Sequence, residues 1–437
     1  MSCDSQLLIL GNGFDLQCGL KSGFDDFMKT RLDKIKTIHK IIEAENIEPD
    51  TYKNLIRVHG IQTVRDRNLF HWYWKNELTV WDFILYEDKR QRTWYDIEDC
   101  IRKWVDFRPD SGNPGCEPLI KQVHSDYLSF KNLSSRYTFW TNWDKTPNKR
   151  ISRTTEEVIL IYALQYYGCS EEMGSLLSMF LYELNRYERV FAAYLQEQLD
   201  EDQEYSDLAT VLLLNLINDQ VPQPALTANP RRQLYTSNPE SIGILNFNYT
   251  DPRKDDWEGQ PEALNIHGLA GKGGIIFGID GTNLSAGQNY YADIVKFTKT
   301  YRLMEFSGRP HQSLIHPYLP NSTEGATGMI KFFGHSLGDA DYSYFQAIFD
   351  EVNLYESNTH LIFYYNEERR HQKKNWRTQG LAKQEMFEKV NRLIATYGRT
   401  LDNEDHGKNL LHKLLLEGRL TIKQAPTYRI PAYFQND

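Results

Sequence analysis

A chain of 437 residues with 40% hydrophobic, 25% charged and 13% aromatic residues has the composition of a soluble globular protein rather than a disordered one. It is long enough for one large domain with an insertion, or for two or three smaller domains. The formal net charge of -9 argues against a general nucleic-acid binder, which needs a concentrated positive field. Cys3, Cys18, Cys100, Cys116 and Cys169 are odd in number and lack C-x-x-C spacing, so neither a disulfide framework nor a cysteine zinc site is indicated. A reducing cytoplasm fits this usage. No apolar run approaches the ~18 residues of a membrane span, and no signal-peptide pattern opens the chain, so no membrane partner is expected.

The chain opens on Leu7-Leu8-Ile9-Leu10, a run that reads as a fully buried strand, followed by Gly11-Asn12-Gly13-Phe14-Asp15. Gly-Asn-Gly permits a sharp turn. Two accounts of it stand side by side: a tight turn after a buried strand, or a nest of bare N–H groups that receives a phosphate. The dinucleotide fingerprint G-x-G-x-x-G asks for a third glycine where Leu16 stands, which argues against an ordinary Rossmann dehydrogenase. Gly19 to Phe27 adds two glycines and aromatic anchors, in keeping with a loop folded back over a ligand or with a helix cap.

From about Phe27 to Asn218 the pattern is mainly helical, with Trp72, Trp74, Trp81, Trp94 and Trp104 gathered in one part, as core stripes usually are. Glu98 is an acid among these aromatics. Leu177, Phe180, Leu181, Leu184, Phe191 and Leu195 mark the clearest helix, and Asp207 to Asn218 a second. Pro222, Pro224, Pro230 and Pro239 make 220–240 a loop or linker. Strand signals return at Ile242–Phe247, Leu264–Ile266, Gly274–Phe277, Met329–Phe333 and His360–Tyr365, with helical patterns at Asp341–Leu354 and Leu381–Tyr397. The alternation predicts an α/β fold: a mainly parallel sheet flanked by helices. Residues 1–30 would supply its first strand and glycine turn, 31–219 a helical insertion, 220–240 a proline-rich linker, and 241–437 the rest of the nucleotide-binding domain.

Polar tails follow four of the expected strands: Gly11 to Asp15, Asn246 to Asp251, His267-Gly268, and Gly334-His335-Ser336-Leu337-Gly338-Asp339-Ala340-Asp341. In parallel sheets ligands sit at the carboxyl ends of strands, where such tails gather. The opening and the Gly334 to Asp341 segment resemble the AbiH family of bacterial phage-abortive-infection proteins. More distantly, the order of the tails, together with Phe277-Gly278-Ile279-Asp280, is similar to the sirtuin fold, a Rossmann-type sheet that binds NAD. The chain departs from sirtuins in lacking a four-cysteine zinc module, in a longer spacing from Asn248 to Asp251, and in carrying Asn12 in its glycine turn. Those departures put lysine deacylation in doubt.

What the resemblance implies instead is an antiphage effector of the sirtuin-like group, with NAD as substrate and no metal. On that reading Gly11 and Gly13, with Asn12 and Phe14 between and beside them, cradle the pyrophosphate. Asp15 binds the carboxamide or a ribose hydroxyl, unless it caps a helix. Asn248 offers an amide donor and an acceptor that fix a ribose hydroxyl and the attacking water, and His267 acts as general base near neutrality. Gly268 leaves room beside it. Asp251, Gly334, His335, Ser336, Asp339 and Asp341 complete the nucleotide site, the last three toward the adenosine end or as helix caps. A phage-derived trigger and a homo-oligomer are the partners this role brings into view.

Two rivals come from other classes. Gly334-His335-Ser336-Leu337-Gly338 satisfies G-x-S-x-G, the nucleophile elbow of α/β-hydrolases, for which Asp350 with His406 or His412 would complete a triad. Basic runs at 149–153 and at 369–377, the second with Trp376, are candidates for nucleic-acid contact in a nuclease effector.

Overall fold

The structure is a computed structural model that describes residues 5–45, 78–87, 94–105, 173–202, 204–219, 241–253, 260–281, 284–304, 314–319, 327–338, 341–366, 380–401 and 404–426. The Pro-rich segment 220–240, Trp72, Trp74, Asp339 and the basic runs at 149–153 and 369–377 lie outside these residues. The chain divides into two compact units, one built from Met1–Gly23, Ala192–Ile275 and Glu305–Asp437, the other from Phe24–Phe191 and Ile276–Met304.

The first unit is an α/β domain. Its strands are β1 (Gln6–Leu10), β2 (Ile242–Asn246), β3 (Glu262–Asn265), β4 (Gly268–Leu269), β5 (Gly274–Ile275), β6 (Met329–Phe333), β7 (His360–Tyr365) and β8 (Leu420–Gln424). Six of them make one sheet in the order β3-β2-β1-β6-β7-β8, and every neighbouring pair is parallel. Ranked by sequence within the sheet, that order is 3-2-1-4-5-6, the doubly wound Rossmann arrangement, with its switch point between β1 and β6. The α/β expectation is thus met, and the sheet is more uniform than the patterns required.

Both sheet faces are covered, which is why β1 and β2 read as unbroken apolar runs rather than as alternations. On one face Leu8, Leu10, Ile242, Ile244, Phe333, Ile362 and Tyr364 pack with Tyr205, Ala209, Leu212, Leu213, Leu216 and Ile217 of the helix Tyr205–Asn218. Lys331 projects to this face from the sheet interior. Its buried ammonium donates to the carbonyls of Leu216, Ile217 and Asp219 at 2.7, 2.9 and 2.9 Å, satisfying the orphan acceptors at the helix C-terminus. On the other face Phe332 stacks on Phe363 and meets Phe345 and Phe349 of the helix Tyr342–Glu351. Phe349 in turn meets Tyr397 of the helix Leu381–Gly398. Each such fully buried aromatic is worth about 1.5–3 kcal/mol in transfer from water.

Two expectations about strands need correction. The stretch from Gly274 does not join the parallel sheet: Gly274–Ile275 pairs antiparallel with Gly268–Leu269 as a separate hairpin. Positive φ at Gly268, Gly273 and Gly274 produces that local reversal. Conversely, β8 escaped the sequence reading because Leu420–Gln424 is a short edge strand with few apolar residues.

The second unit is mostly helical, comprising Phe24–Glu45, Val80–Glu87, Trp94–Val105, the helix Met173–Glu201 as far as Phe191, and the short helices Tyr291–Ile294 and Lys299–Leu303. Phe27, Tyr187, Phe191 and Phe277 pack edge-on or tilted within it, and Trp81 Nε1 donates to the Phe180 carbonyl at 3.0 Å. Its buried charges are matched. Arg31 meets Asp82 at 2.8 Å, Arg302 meets Glu188, and Glu98 pairs with the buried Lys299, so the acid noticed among the aromatics has a structural partner. The Phe277 to Asp280 tail belongs to this unit, where the Phe277 N–H donates to Glu188.

Candidate functional site

The carboxyl edge of the sheet is where β1, β2, β3 and β6 release their polar tails. After β1 the chain turns at Gly11 and enters a one-turn helix, Gly13–Gln17. The turn packs directly against the tail of β6. A Cβ on Gly13 would overlap the Gly334 Cα, and one on Gly334, which itself has φ 71°, would overlap the Phe14 nitrogen. Three N–H groups of this turn are already spoken for. Gly11 donates to the Phe333 carbonyl at 3.0 Å, Gly13 to that of Gly334 at 2.8 Å, and Phe14 to that of Gly11 at 2.7 Å. The expectation of a nest of bare N–H groups at Gly11 and Gly13 is therefore corrected: the glycines serve backbone-to-backbone packing of two turns.

The side chains of the turn have separate duties. Asn12 Oδ1 accepts from Ser22 Oγ at 2.6 Å, and Tyr194 donates to the Lys21 carbonyl at 2.8 Å, so the 19–23 loop is tied back onto the turn. Phe14 is fully buried in the core, edge-on to Phe333, so its ring is committed to packing. Asp15, only 1% exposed, lies inside the short helix rather than at its cap. Its Oδ2 accepts from Thr250 Oγ1 at 2.7 Å, and its Oδ1 from Tyr205 Oη at 2.8 Å and from Asn248 Nδ2 at 3.4 Å. Burial first, and the Asp15 charge second, push the Tyr205 hydroxyl well above its ordinary pKa, so Tyr205 remains a donor.

The tail of β2 is clamped by asparagines. Asn246 Oδ1 accepts from the Asn248 N–H at 3.1 Å, and its Nδ2 donates to the Thr250 carbonyl at 2.7 Å. Asn265, at the end of β3, donates to the carbonyls of Asn248 and Thr250 at 2.9 and 2.8 Å. Asn248 is 3% exposed, and its Oδ1 is buried with no hydrogen-bond partner among the described residues. Asp251 is turned elsewhere, onto Arg253, whose Nε and Nη2 reach its two oxygens at 2.9 and 2.8 Å.

His267 follows β3 and is buried. Gly268 beside it has φ 92°, and the room it leaves is taken by the Gly274 carbonyl of the hairpin. His267 Nε2 stands 3.7 Å from Asp341 Oδ1, while His335 Nε2 stands 3.3 Å from Asp341 Oδ2. His335 Nδ1 accepts from the Leu337 N–H at 2.9 Å, so in the neutral ring the proton must be on Nε2, facing Asp341. Asp341 thus stands between two histidines. Phe247 lies edge-on to both imidazoles, at ring-centroid distances of 5.6 and 4.5 Å, and to Tyr344 at 5.5 Å, which fixes the rings in an apolar frame.

Ser336 stands apart from this group. It is exposed, and its Oγ accepts from the Gly338 N–H at 3.3 Å. The positive φ values flank it, at Gly334 and Leu337. Asp350 accepts from Tyr397 at 2.9 Å and His412 is exposed on its helix, while the side chain of His406, the other histidine of the hydrolase reading, lies outside the described residues. Among the described residues no three His, Cys, Asp or Glu side chains are grouped as metal ligands, and no helix is long and apolar enough to cross a membrane.

The structure therefore brings Asp15, Asn248, His267, His335 and Asp341 to one edge, and leaves Asp251, Phe14 and Ser336 to other duties. Sequence reasoning missed Tyr205, which reaches Asp15 from a helix far along the chain. It also missed Tyr344 and the clamping pair Asn246 and Asn265; the Asn at the end of two successive strands was the available signal.

An all-parallel doubly wound sheet, with a buried amide, two carboxylates and two histidines where the strand order reverses, defines the class: a Rossmann-type α/β protein with a polar site at its switch point. The model of the AbiH family, described as bacteriophage abortive infection, matches residues 7–365. The chain belongs to that family, and its role is accordingly one in abortive infection. No curated protein and no solved structure matches the chain.

Proposed function

We propose that this abortive-infection protein binds NAD at the carboxyl edge of its sheet and hydrolyses the nicotinamide–ribose bond. The observation that supports the reading best is the buried Oδ1 of Asn248, unpartnered among the described residues, at the same edge as His267. Leaving such an atom unpaired costs about 1–3 kcal/mol, a cost that a ligand hydroxyl recovers. Bond cleavage builds positive charge on the ribose, and the leaving group is already cationic, so no strong acid is needed. The residues required are one that holds the ribose and one that takes a proton. Asn248 Oδ1 accepts the ribose hydroxyl, and His267 takes the proton from water. Asp341, 3.7 Å away, offsets the imidazolium charge that results. Gly11 and Gly13 are given no phosphate to hold, because their N–H groups are occupied.

The test is chromatography of NAD incubated with the purified full chain, with and without lysate of phage-infected cells as trigger. Nicotinamide is the expected product. His267→Ala should slow its release by ~10²–10⁴, the usual worth of a positioned general base. Asn248→Ala should cost at least as much, with the fold confirmed by circular dichroism. NAD left intact by the triggered wild type, or cleaved at the wild-type rate by both variants, would overturn the assignment.

A further inference from the structure

We infer that Asp15 is the positioning residue of this site, setting the Asn248 amide so that the group bound there must be a hydrogen-bond donor, a sugar hydroxyl rather than a phosphate or carbonyl oxygen. The inference rests on the reading of Asn248 as a ligand contact and goes further, to the chemistry it selects. Its basis is a count of donors and acceptors. The Asp15 carboxylate is buried and takes hydroxyl donors from Tyr205 and Thr250, so it is held as an acceptor on both oxygens. Asn248 presents Nδ2 to it at 3.4 Å. A flipped amide would set its oxygen against a carboxylate oxygen, two acceptors in contact at low dielectric, so only one orientation is stable. The main chain is equally fixed, since Asn246 and Asn265 hold the N–H and carbonyl of Asn248. The amide oxygen is consequently locked facing away from Asp15, with no donor among the described residues.

An acceptor fixed in this way discriminates. A site built to bond a hydroxyl rejects an analogue that lacks it, because the buried group is then left unpaired. Calorimetric titration of the full chain with ADP-ribose and with ADP, which lacks the second ribose, measures this without any turnover. Wild type should bind ADP-ribose at least about tenfold more tightly, the worth of one well-placed hydrogen bond. Asp15→Asn frees the amide to flip and should bring the ratio to within about twofold of unity. Exchanging the pair, Asp15→Asn with Asn248→Asp, again sets an amide donor against a carboxylate and leaves an acceptor facing the site. It should restore the ratio to within about threefold of wild type. A merely structural role for Asp15 predicts no such recovery of preference, and it predicts the same loss in Tyr205→Phe, which leaves the Asn248 contact in place and should keep the ratio. Equal binding of the two ligands by wild type, an undiminished ratio in Asp15→Asn, or failure of the exchanged pair to recover would each overturn the inference. Wild type that shows the preference but leaves NAD intact would overturn the hydrolase reading alone.

Discussion

Ser336 fits the spacing of the elbow motif, yet its described contact is a turn hydrogen bond and not one with a base. An elbow serine is reactive because a base removes its proton, and its turn is strained so that the hydroxyl stands clear. Here the hydroxyl accepts from the Gly338 N–H, and the left-handed backbone falls on Gly334 and Leu337 instead. A fluorophosphonate probe should therefore leave Ser336 unlabelled, and Ser336→Ala should keep NAD turnover within about twofold, as surface changes away from the chemistry do. Stoichiometric labelling at Ser336 would restore the hydrolase reading. The residues gathered at the sheet edge were legible in sequence as polar tails after strands, but their partnerships were not. That Asp15 serves Asn248, and that Asp341 stands between His267 and His335, depends on contacts across the chain that no local spacing encodes.

At the scale of elements, periodicity found the helices Tyr205–Asn218, Tyr342–Glu351 and Leu381–Gly398 and most sheet strands, because each carries a long apolar stripe or run. It misjudged Gly274–Ile275, where glycines rather than apolar content decide the conformation. The glycine turn is the instructive case. Glycines needed for a ligand and glycines needed for a neighbouring backbone look identical in sequence, and here the neighbour is the tail of β6. Gly334→Ala should accordingly destabilise the fold by about 2–4 kcal/mol, combining a left-handed φ with a steric overlap against Phe14. Urea denaturation followed by circular dichroism checks this, and a midpoint equal to wild type would mean that the two turns are not in backbone contact.

For the molecule as a whole, the decisive feature is that the central strand pairs only with strands far along the chain. β1 pairs in parallel register with β2 from Gln6↔Ile242 to Leu10↔Asn246, and with β6 from Gln6↔Met329 to Leu10↔Phe333. Both partners lie more than two hundred residues away, so closing these pairings costs loop entropy that only the completed sheet offsets. Every residue of β1 is buried, whereas the edge strand β3 is exposed or half-buried along its length. The sheet should therefore open from its edges while β1 remains protected until the whole α/β unit unfolds. In native-state hydrogen exchange the amides of Leu7 to Leu10 should exchange with the free energy of global unfolding, and those of Glu262 to Asn265 should exchange several-fold or more faster. Removal of the first eleven residues should abolish the cooperative transition of this unit, because it takes out the strand on either side of which the sheet order reverses. A truncated chain that keeps a cooperative transition, or β1 amides that exchange as fast as those of β3, would place the folding core elsewhere in the sheet.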